Sequence, residues 1–425
     1  MRTFPLDRIK KEIDWCVKHK IEYVYCADSN FGLFDRDEEI VDYAIEKNKQ
    51  YGYPKKWRAT FAKNTTEKVF RINQKINAQG MSKGATLSFQ SLNPDTLNII
   101  GRKNIKLSVF EKLLQKYIEN HIPTYTEIIM GLPGETYETF CEGISTLLKS
   151  GQHKSLNIYA CELLPNSPMG QSEFIEKYKI KTIRTPIQRV YTTPEDNGIS
   201  EYDKYIVSTS TLTLEKWKRC YLFSYIVQCF HSIGLTRYIA IYLYQSKNIE
   251  YDYFYNRLMD YLLEHPDTVG GRILQKTISI IDKAVEDDTV SFQFYNEEFG
   301  NVFWPLEEGS YLEILVNIND FYKQLKDFLI QFNVDEEILK NLIRYQYEIT
   351  KKPSDRTHVV NFDYDFPSYF KNNEYIKGVD LKRKSVAVKV EIQDEFENWE
   401  DFAKRIIWYG RKNDAQHYER EFVSG

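Results

Sequence analysis

Tyr125-Thr126-Glu127-Ile128-Ile129-Met130-Gly131-Leu132-Pro133-Gly134-Glu135-Thr136 reads as a short apolar strand, a Gly-Leu-Pro-Gly turn and the opening of a helix. The two glycines allow a tight turn, and their missing side chains leave room for close approach. Alone, the stretch is either a plain strand-to-helix turn or a ligand loop. The flanking sequence bears on that choice.

Upstream, Ile9, Ile13, Cys16 and Val17 share one helical face behind Pro5, and a β-prone run follows at 21–26. That run ends in the polar turn Ala27-Asp28-Ser29-Asn30-Phe31-Gly32, before a helix with Ile40, Val41, Ala44 and Ile45 apolar and Gly52 as its stop. Trp57 to Ala62 is the next strand, and Asn64 with Glu67 makes a capping box for a helix reaching Gly80. Ala85 to Gln90 is a third strand, closed by Ser91-Leu92-Asn93-Pro94, and a helix from about 106 to 120 precedes the strand at 124–130. Thr136 to Ser150 is helical, and Leu156 to Leu163 is the last strand of the series, ending in Leu164-Pro165-Asn166-Ser167-Pro168. Strands alternating with helices at this spacing call for a parallel sheet, doubly wound or curved into a partial or full barrel. The turns at 27–32, 88–93, 127–135 and 162–167 then lie at its carboxyl end, where α/β proteins hold ligands.

Composition narrows the class. The chain has 425 residues, 42% hydrophobic and 28% charged, with a net charge of −4 and 32 tyrosines. A mildly acidic balance argues against a nucleic-acid partner, and no apolar run approaches the roughly 20 residues of a membrane span. Met1-Arg2-Thr3-Phe4-Pro5 lacks the apolar core of a signal peptide, and six scattered cysteines suit reduced cytoplasmic thiols.

The turn residues each have two readings. Asp28 and Asn30 hold a ligand's ammonium group or cap the helix that follows. Ser88 and Gln90 alternate on one strand, and so face either a lumen or solvent together. Glu127 is a charge inside an apolar strand, which needs a partner if buried and nothing if exposed. There is no P-loop, no G-x-G-x-x-G, no G-x-S-x-G and no metal-binding histidine spacing. Cys220, Cys229 and His231 come nearest to a metal cluster, and at that spacing core packing is the simpler reading.

Phe4 to Ile9, Ala27 to Gly32, Ser88 to Leu97 with Gly101 to Ile105, Glu127 to Thr136 and Glu162 to Pro168, in that order and spacing, resemble the radical S-adenosylmethionine (SAM) superfamily. The likeness is to the class with an N-terminal cobalamin-binding domain. It covers residues 1–170 well; Trp304-Pro305-Leu306-Glu307-Glu308 and Trp408-Tyr409-Gly410-Arg411 resemble the tail of that class less specifically. The resemblance implies a partial parallel barrel. Asp28, Asn30, Phe31 and Gly32 would stand at the methionine part of SAM, and Ser88 and Gln90 at its ribose and carboxylate. Gly131, Leu132 and Pro133 would pass the adenine, Leu163 and Pro165 would complete that pocket, and Glu127 belongs to the same cofactor-binding set. It also implies a four-iron four-sulfur cluster, cobalamin, and methyl transfer or related radical chemistry on a small metabolite or natural product.

One departure stands out. The family's C-x-x-x-C-x-x-C cluster motif does not occur among cysteines 16, 26, 141, 161, 220 and 229. The expectation is therefore the carboxyl-terminal part of such an enzyme, lacking its first strand and inactive alone, with the cluster loop and cobalamin domain on an upstream segment or polypeptide. The expected organisation is a barrel at 1–170, a connector at 171–210 and a mostly helical domain at 211–425 with a short strand region near 384–392. In that last domain Trp217, Tyr238, Trp304 and Trp408 line a substrate pocket or form core. Two rival readings remain: a non-catalytic binding or scaffold protein of the same family, and an unrelated α/β-barrel enzyme using Glu127 or Asp28 as acid or base.

Overall fold

A computed structural model describes residues 3–62, 66–82, 84–187, 189–194, 201–373, 378–392, 394–418 and 421–422. The expected cap at Asn64 lies outside the described residues. In chain order the first elements are α1 (Leu6–Lys18), β1 (Tyr23–Phe31), α2 (Arg36–Tyr51), β2 (Lys56–Phe61), α3 (Thr66–Ala78), β3 (Ala85–Thr86), α4 (Pro94–Ile99), α5 (Leu107–Glu119), β4 (Thr124–Met130), α6 (Tyr137–Lys149) and β5 (Leu156–Ala160). There follow α7 (Ser172–Lys177), β6 (Lys181–Pro186) and β7 (Tyr202–Ser208), then helices α8 (Leu214–Ile226), α9 (Arg237–Lys247), α10 (Tyr251–Glu264) and α11 (Val269–Glu286). The rest comprises β8 (Gln293–Tyr295), β9 (Phe303–Pro305), α12 (Leu306–Val316), α13 (Ile318–Leu329), α14 (Glu336–Ile349), β10 (His358–Tyr364), α15 (Phe366–Asn373), β11 (Arg383–Val390), α16 (Trp399–Phe402) and β12 (Glu421–Phe422).

The chain forms two compact units, one of Met1–Ser88 with Ile105–Glu127 and the other of Phe89–Asn104 with Ile128–Gly425. In the first unit β1 and β2 pair in parallel, Tyr23 opposite Lys56 and Cys26 opposite Ala59. β3 and β4 are also parallel, Ala85 opposite Thr124. Alternation sorts β2 cleanly: Trp57 and Ala59 are buried, while Arg58 and Thr60 turn to the other face. Phe31, Ile40, Val41, Trp57, Ile72 and Met81 belong to the core between these strands and helices α1 to α3.

Two expected boundaries move. The segment 27–31 belongs to β1 rather than to a turn, and its pairing with β2 slips between Cys26 and Phe31. The slip has a local cause: Asn30 gives its N–H to Asp28 Oδ1 at 2.8 Å, so the side chain takes the place of a ladder partner. The strand expected over 85–90 pairs regularly only at Ala85 and Thr86, although in the second unit the Gln90 carbonyl still accepts the Ile129 N–H at 2.9 Å. The parallel strands lie in a two-stranded sheet, β1-β2, and a three-stranded sheet, β3-β4-β5, among the described residues.

In the second unit the 171–210 stretch is more ordered than its polar composition suggests, with α7 and the antiparallel hairpin β6-β7. The long helical pattern after Thr213 divides into α8, a π-helical turn (Val227–Ser232) and α9, broken at Gly234, whose φ is +113°. Helices α10 to α14 follow the sequence pattern closely. The expected strand near 386–392 is β11, the centre of an antiparallel β10-β11-β12 sheet. Trp217, Tyr238 and Trp304 are core residues, each at most 2% exposed. No helix among the described residues is long and apolar enough to cross a membrane.

Candidate functional site

In the first unit, polar side chains collect on the strand face opposite the core. Asp28 and Asn30 are exposed at the end of β1, Asp28 Oδ1 accepting from the Asn30 backbone and Asn30 Nδ2 donating to Ser29 Oγ at 3.1 Å. Neither caps α2. The N-cap residue is Asp35, which makes no side-chain cap bond; Asp37, 3% exposed and inside the helix, fastens the preceding turn, its Oδ2 accepting the N–H groups of Gly32 at 2.9 Å and Phe34 at 3.0 Å. Phe31 is buried at 1% exposure, 6.2 Å between ring centres from both Trp57 and Phe61. Gly32 has φ +91°, and a Cβ there would stand 2.8 Å from Val69 Cγ2, so glycine is required by both backbone and packing.

Ser88 donates to Glu127 Oε2 at 2.8 Å, both half-buried. This answers the question the isolated carboxylate raised: Glu127 is neither a bare buried charge nor a free strand end. On the same face Tyr125 bonds to Thr86 and Arg58, with its phenol pushed up by burial, and Arg58 also reaches Tyr23. Arg58 lies 5.1 Å from the centre of the Tyr25 ring, and the Tyr25 hydroxyl meets Thr60 Oγ1 at 2.8 Å. The sequence reading passed over Arg58. Its signal was faint, since Lys56, Arg58 and Thr60 alternate with Trp57, Ala59 and Phe61 and read as one polar face.

In the second unit the Gly131-Leu132-Pro133-Gly134 turn is largely covered by protein. Gly131 has φ +89°, and a Cβ on it would meet the Ile206 carbonyl and Trp217 Nε1, each at 3.1 Å. Leu132 is buried with Cys161, Ile180 and Ile206, and Leu163 packs on the same cluster, so the structure brings Leu132 and Leu163 together. Pro133 is buried, whereas Pro165 is exposed and Gln90 half-buried. Leu163 donates its N–H to the Lys204 carbonyl at 2.7 Å.

The next residue carries chemistry that the sequence reading did not single out. Glu135 is 2% exposed and accepts from Ser91 Oγ at 2.5 Å and Thr139 Oγ1 at 3.0 Å; burial raises its carboxyl above the ordinary value. Thr139 and Thr136 form a capping box that starts α6. Asn93 caps α4 through the Asp95 N–H at 2.9 Å, and Asn104 donates to the Ser91 carbonyl at 2.6 Å. Glu135, Ser91, Asn93 and Thr139 thus lock the turn to the loop at 91–104.

The two late motifs also meet in the second unit. Arg411 donates to Glu308 at 2.6 Å and to Glu307 at 3.1 Å, and its other terminal nitrogen reaches Asn157 of β5 at 3.4 Å. Tyr191 donates to both Glu308 oxygens, at 2.8 and 2.9 Å, and stacks on Trp408 with ring centres 4.9 Å apart. Burial raises the Glu308 carboxyl while Arg411 pulls it back.

Comparison with known proteins fits this arrangement of turns. Residues 1–147 match the family described as the radical SAM superfamily. Over that stretch the chain is similar to the radical SAM superfamily. Its sequence is 31% identical over 394 residues to the cobalamin-dependent radical SAM methyltransferase TokK of Streptomyces tokunonensis, covering 87% of this chain and 57% of that protein. It is also 31% identical over 416 residues to the 2-(S-pantetheinyl)-carbapenam-3-carboxylate methyltransferase of Streptantibioticus cattleyicolor, covering 92% of this chain and 59% of that protein. The chain spans somewhat more than half the length of these relatives. Among solved structures, the radical SAM methyltransferase TsrM of Kitasatospora setae is similar over 51% of this chain and 44% of its own, at 15% identity and a TM-score of 0.35. Coproporphyrinogen III oxidase of Escherichia coli gives 14% identity and a TM-score of 0.31 over 40% and 43%.

The six cysteines are scattered along the chain rather than spaced as a cluster-binding triplet. Among the described residues no three of His, Cys, Asp or Glu gather as a metal site. Burial pushes Cys26, Cys141 and Cys161 up to about 12, and Cys16, Cys220 and Cys229 upward as well. Cys220 and Cys229 are core residues, and His231 is engaged by His153 at 2.9 Å and Tyr255 at 2.7 Å. In the first unit Asp28 and the Ser88–Glu127 pair present carboxylate and hydroxyl oxygens, and in the second unit, taken by itself, Leu132 and Leu163 belong to one apolar cluster.

Proposed function

We propose that this chain is the post-cluster part of a cobalamin-dependent radical SAM methyltransferase acting on a small metabolite or natural product. The observation that carries the reading is the reach of the likeness. The superfamily match ends at residue 147, whereas the likeness to the two methyltransferases runs through 87% and 92% of the chain, across the helical half as well. A shared barrel alone would support only the superfamily; a shared second half supports a shared use of it.

In this reading the first 170 residues form a partial parallel barrel, and the helical remainder builds the substrate pocket. Asp28 and Asn30 hold the methionine end of SAM, and Ser88 with Glu127 holds hydroxyl or ammonium protons. In the second unit Gly131, Leu132, Pro133, Leu163 and Pro165 pass the adenine. When bound beside a reducing cluster, SAM supplies a 5′-deoxyadenosyl radical or a methyl group. The cluster ligands and the cobalamin site lie outside these 425 residues, on a further segment or a partner polypeptide, and the chain alone does no radical chemistry. Six unpaired cysteines support a reducing, cytoplasmic setting.

Calorimetry with S-adenosylhomocysteine tests this. Wild-type chain should bind it, and Asp28→Ala and Glu127→Ala should each weaken binding by about tenfold, roughly 1.4 kcal/mol. No binding to the wild type, or binding that neither variant alters, would count against the assignment.

A further inference from the structure

The first unit contains a cation without an anion. Arg58 is half-buried on β2, and among the described residues no carboxylate forms an ion pair with it. Its neighbours are tyrosines: hydroxyls of Tyr23 and Tyr125 accept from it, and the Tyr25 ring lies beneath it at 5.1 Å. Several other cations of this unit are answered by carboxylates, whereas Lys56 on the same strand reaches the Gly80 carbonyl. Lys47 pairs with Asp14, Lys68 with Asp35, Lys75 with Glu38 and Asp42, and Lys116 with Glu67.

A guanidinium has five N–H donors in a planar fork, and two tyrosine oxygens leave the fork incompletely used. A cation–π contact contributes about 0.5–1 kcal/mol at an exposed site, too little to repay removal of a guanidinium from water. The surroundings look outward. Tyr23 and Tyr25 are 42% and 53% exposed, unusual for large rings, and they stand on the strand that leads to Asp28. On β4 the Glu127 carboxylate accepts from Ser88 and forms no ion pair with Arg58. An open aromatic face with one unanswered, fork-shaped cation suits a flat or apolar molecule carrying a carboxylate.

We propose that Arg58 anchors a carboxylate of the small-molecule substrate, with Tyr23 and Tyr25 as the wall on which its apolar part rests. This rests on the reading that the chain serves a small-molecule transferase, and adds the chemical class of that molecule and the residue that selects it.

The test uses benzoate and its neutral counterpart benzamide as probes of the full chain, by calorimetry or ligand-observed NMR. Wild type should bind benzoate at least about tenfold more tightly than benzamide. Arg58→Gln should lose that preference while its benzamide affinity and its thermal midpoint stay near wild type. Arg58→Lys, keeping charge but losing the fork, should fall between them. Equal binding of the two probes by wild type, or a benzoate preference that survives in Arg58→Gln, overturns the proposal. S-adenosylhomocysteine titrated separately keeps the two readings apart. If it fails to bind while benzoate still depends on Arg58, the SAM assignment falls alone; if it binds while benzoate ignores Arg58, this proposal falls alone.

Discussion

Replacing Arg411 with methionine removes the cation of the most deeply buried ion pair that joins the two late motifs. Arg411 and Glu308 are 6% and 2% exposed, and Glu307 stands close by. Methionine fills most of the volume, so what remains is two carboxylates facing one tyrosine hydroxyl and one amide. Breaking a buried pair from one side costs about 3–5 kcal/mol, because a charge is left without compensation. The second unit has about 300 residues, so its unfolding entropy near the midpoint is roughly 0.65 kcal/mol/K, and the loss corresponds to about 5–8 °C in Tm. Differential scanning calorimetry reads this directly. Adding Glu308→Gln to Arg411→Met removes the stranded charge and should recover more than about 1 kcal/mol. Acidity supplies a second check. In Arg411→Met the Glu308 carboxyl, already raised by burial, loses the guanidinium that pulled it down. A carboxyl with a raised folded value favours the folded state as protons are added, so the deficit should shrink as pH falls from 8 towards 5. A single variant within about 1 kcal/mol of wild type, or a double variant as unstable as the two singles summed, would refute the reasoning.

Further outcomes are expected. Glu135→Gln keeps acceptors for Ser91 and Thr139 but removes a carboxyl whose folded value is raised; wild type should lose stability as pH climbs from the ordinary carboxylate value through that raised value, and the variant's urea midpoint should stay flat there. Gly134→Ala puts a Cβ at φ +90° and 2.6 Å from Ile99 Cδ1, so a loss of about 1–2 kcal/mol from backbone handedness, increased by the clash, should appear in chemical denaturation. Phe31→Ala should cost about 3–5 kcal/mol as a core deletion, with thermal unfolding as the readout, because its ring packs on Trp57 and Phe61. In the folded chain at pH 8, Ellman's reagent should react slowly with Cys26, Cys141 and Cys161, each pushed up to about 12, and denaturant should release all six thiols.

Much of the fold was legible because two periods are written plainly. Apolar spacing of 3.6 marks α2, α6, α10 and α11 within a residue or two, and the run at 124–130 coincides with β4. What escaped notice depends on contacts distant in sequence. The ladder slip in β1 is the exception, a local hydrogen bond between Asp28 and Asn30, whereas Ser88, beyond the end of β3, meets Glu127 from a distant segment. β6, β8, β9 and β10 are short or polar strands whose partners make them. At the site, Glu127 was noticed because a charge in an apolar strand needs an explanation. Arg58 and Glu135 went unremarked, the first on an edge that looked merely polar, the second hidden in a turn whose glycines drew attention. Phe31 and Gly32 stood in a recognisable motif and serve packing and a backbone turn.

Anaerobic reconstitution with iron and sulfide, followed by an iron count and a 5′-deoxyadenosine assay, tests the central claim most directly. Alone, the chain is expected to hold no stoichiometric cluster and to release no 5′-deoxyadenosine from SAM. Supplied with a segment bearing C-x-x-x-C-x-x-C, it should release it. About four irons per chain on these 425 residues by themselves, with 5′-deoxyadenosine formed, would contradict the assignment of the cluster ligands to a segment outside this chain.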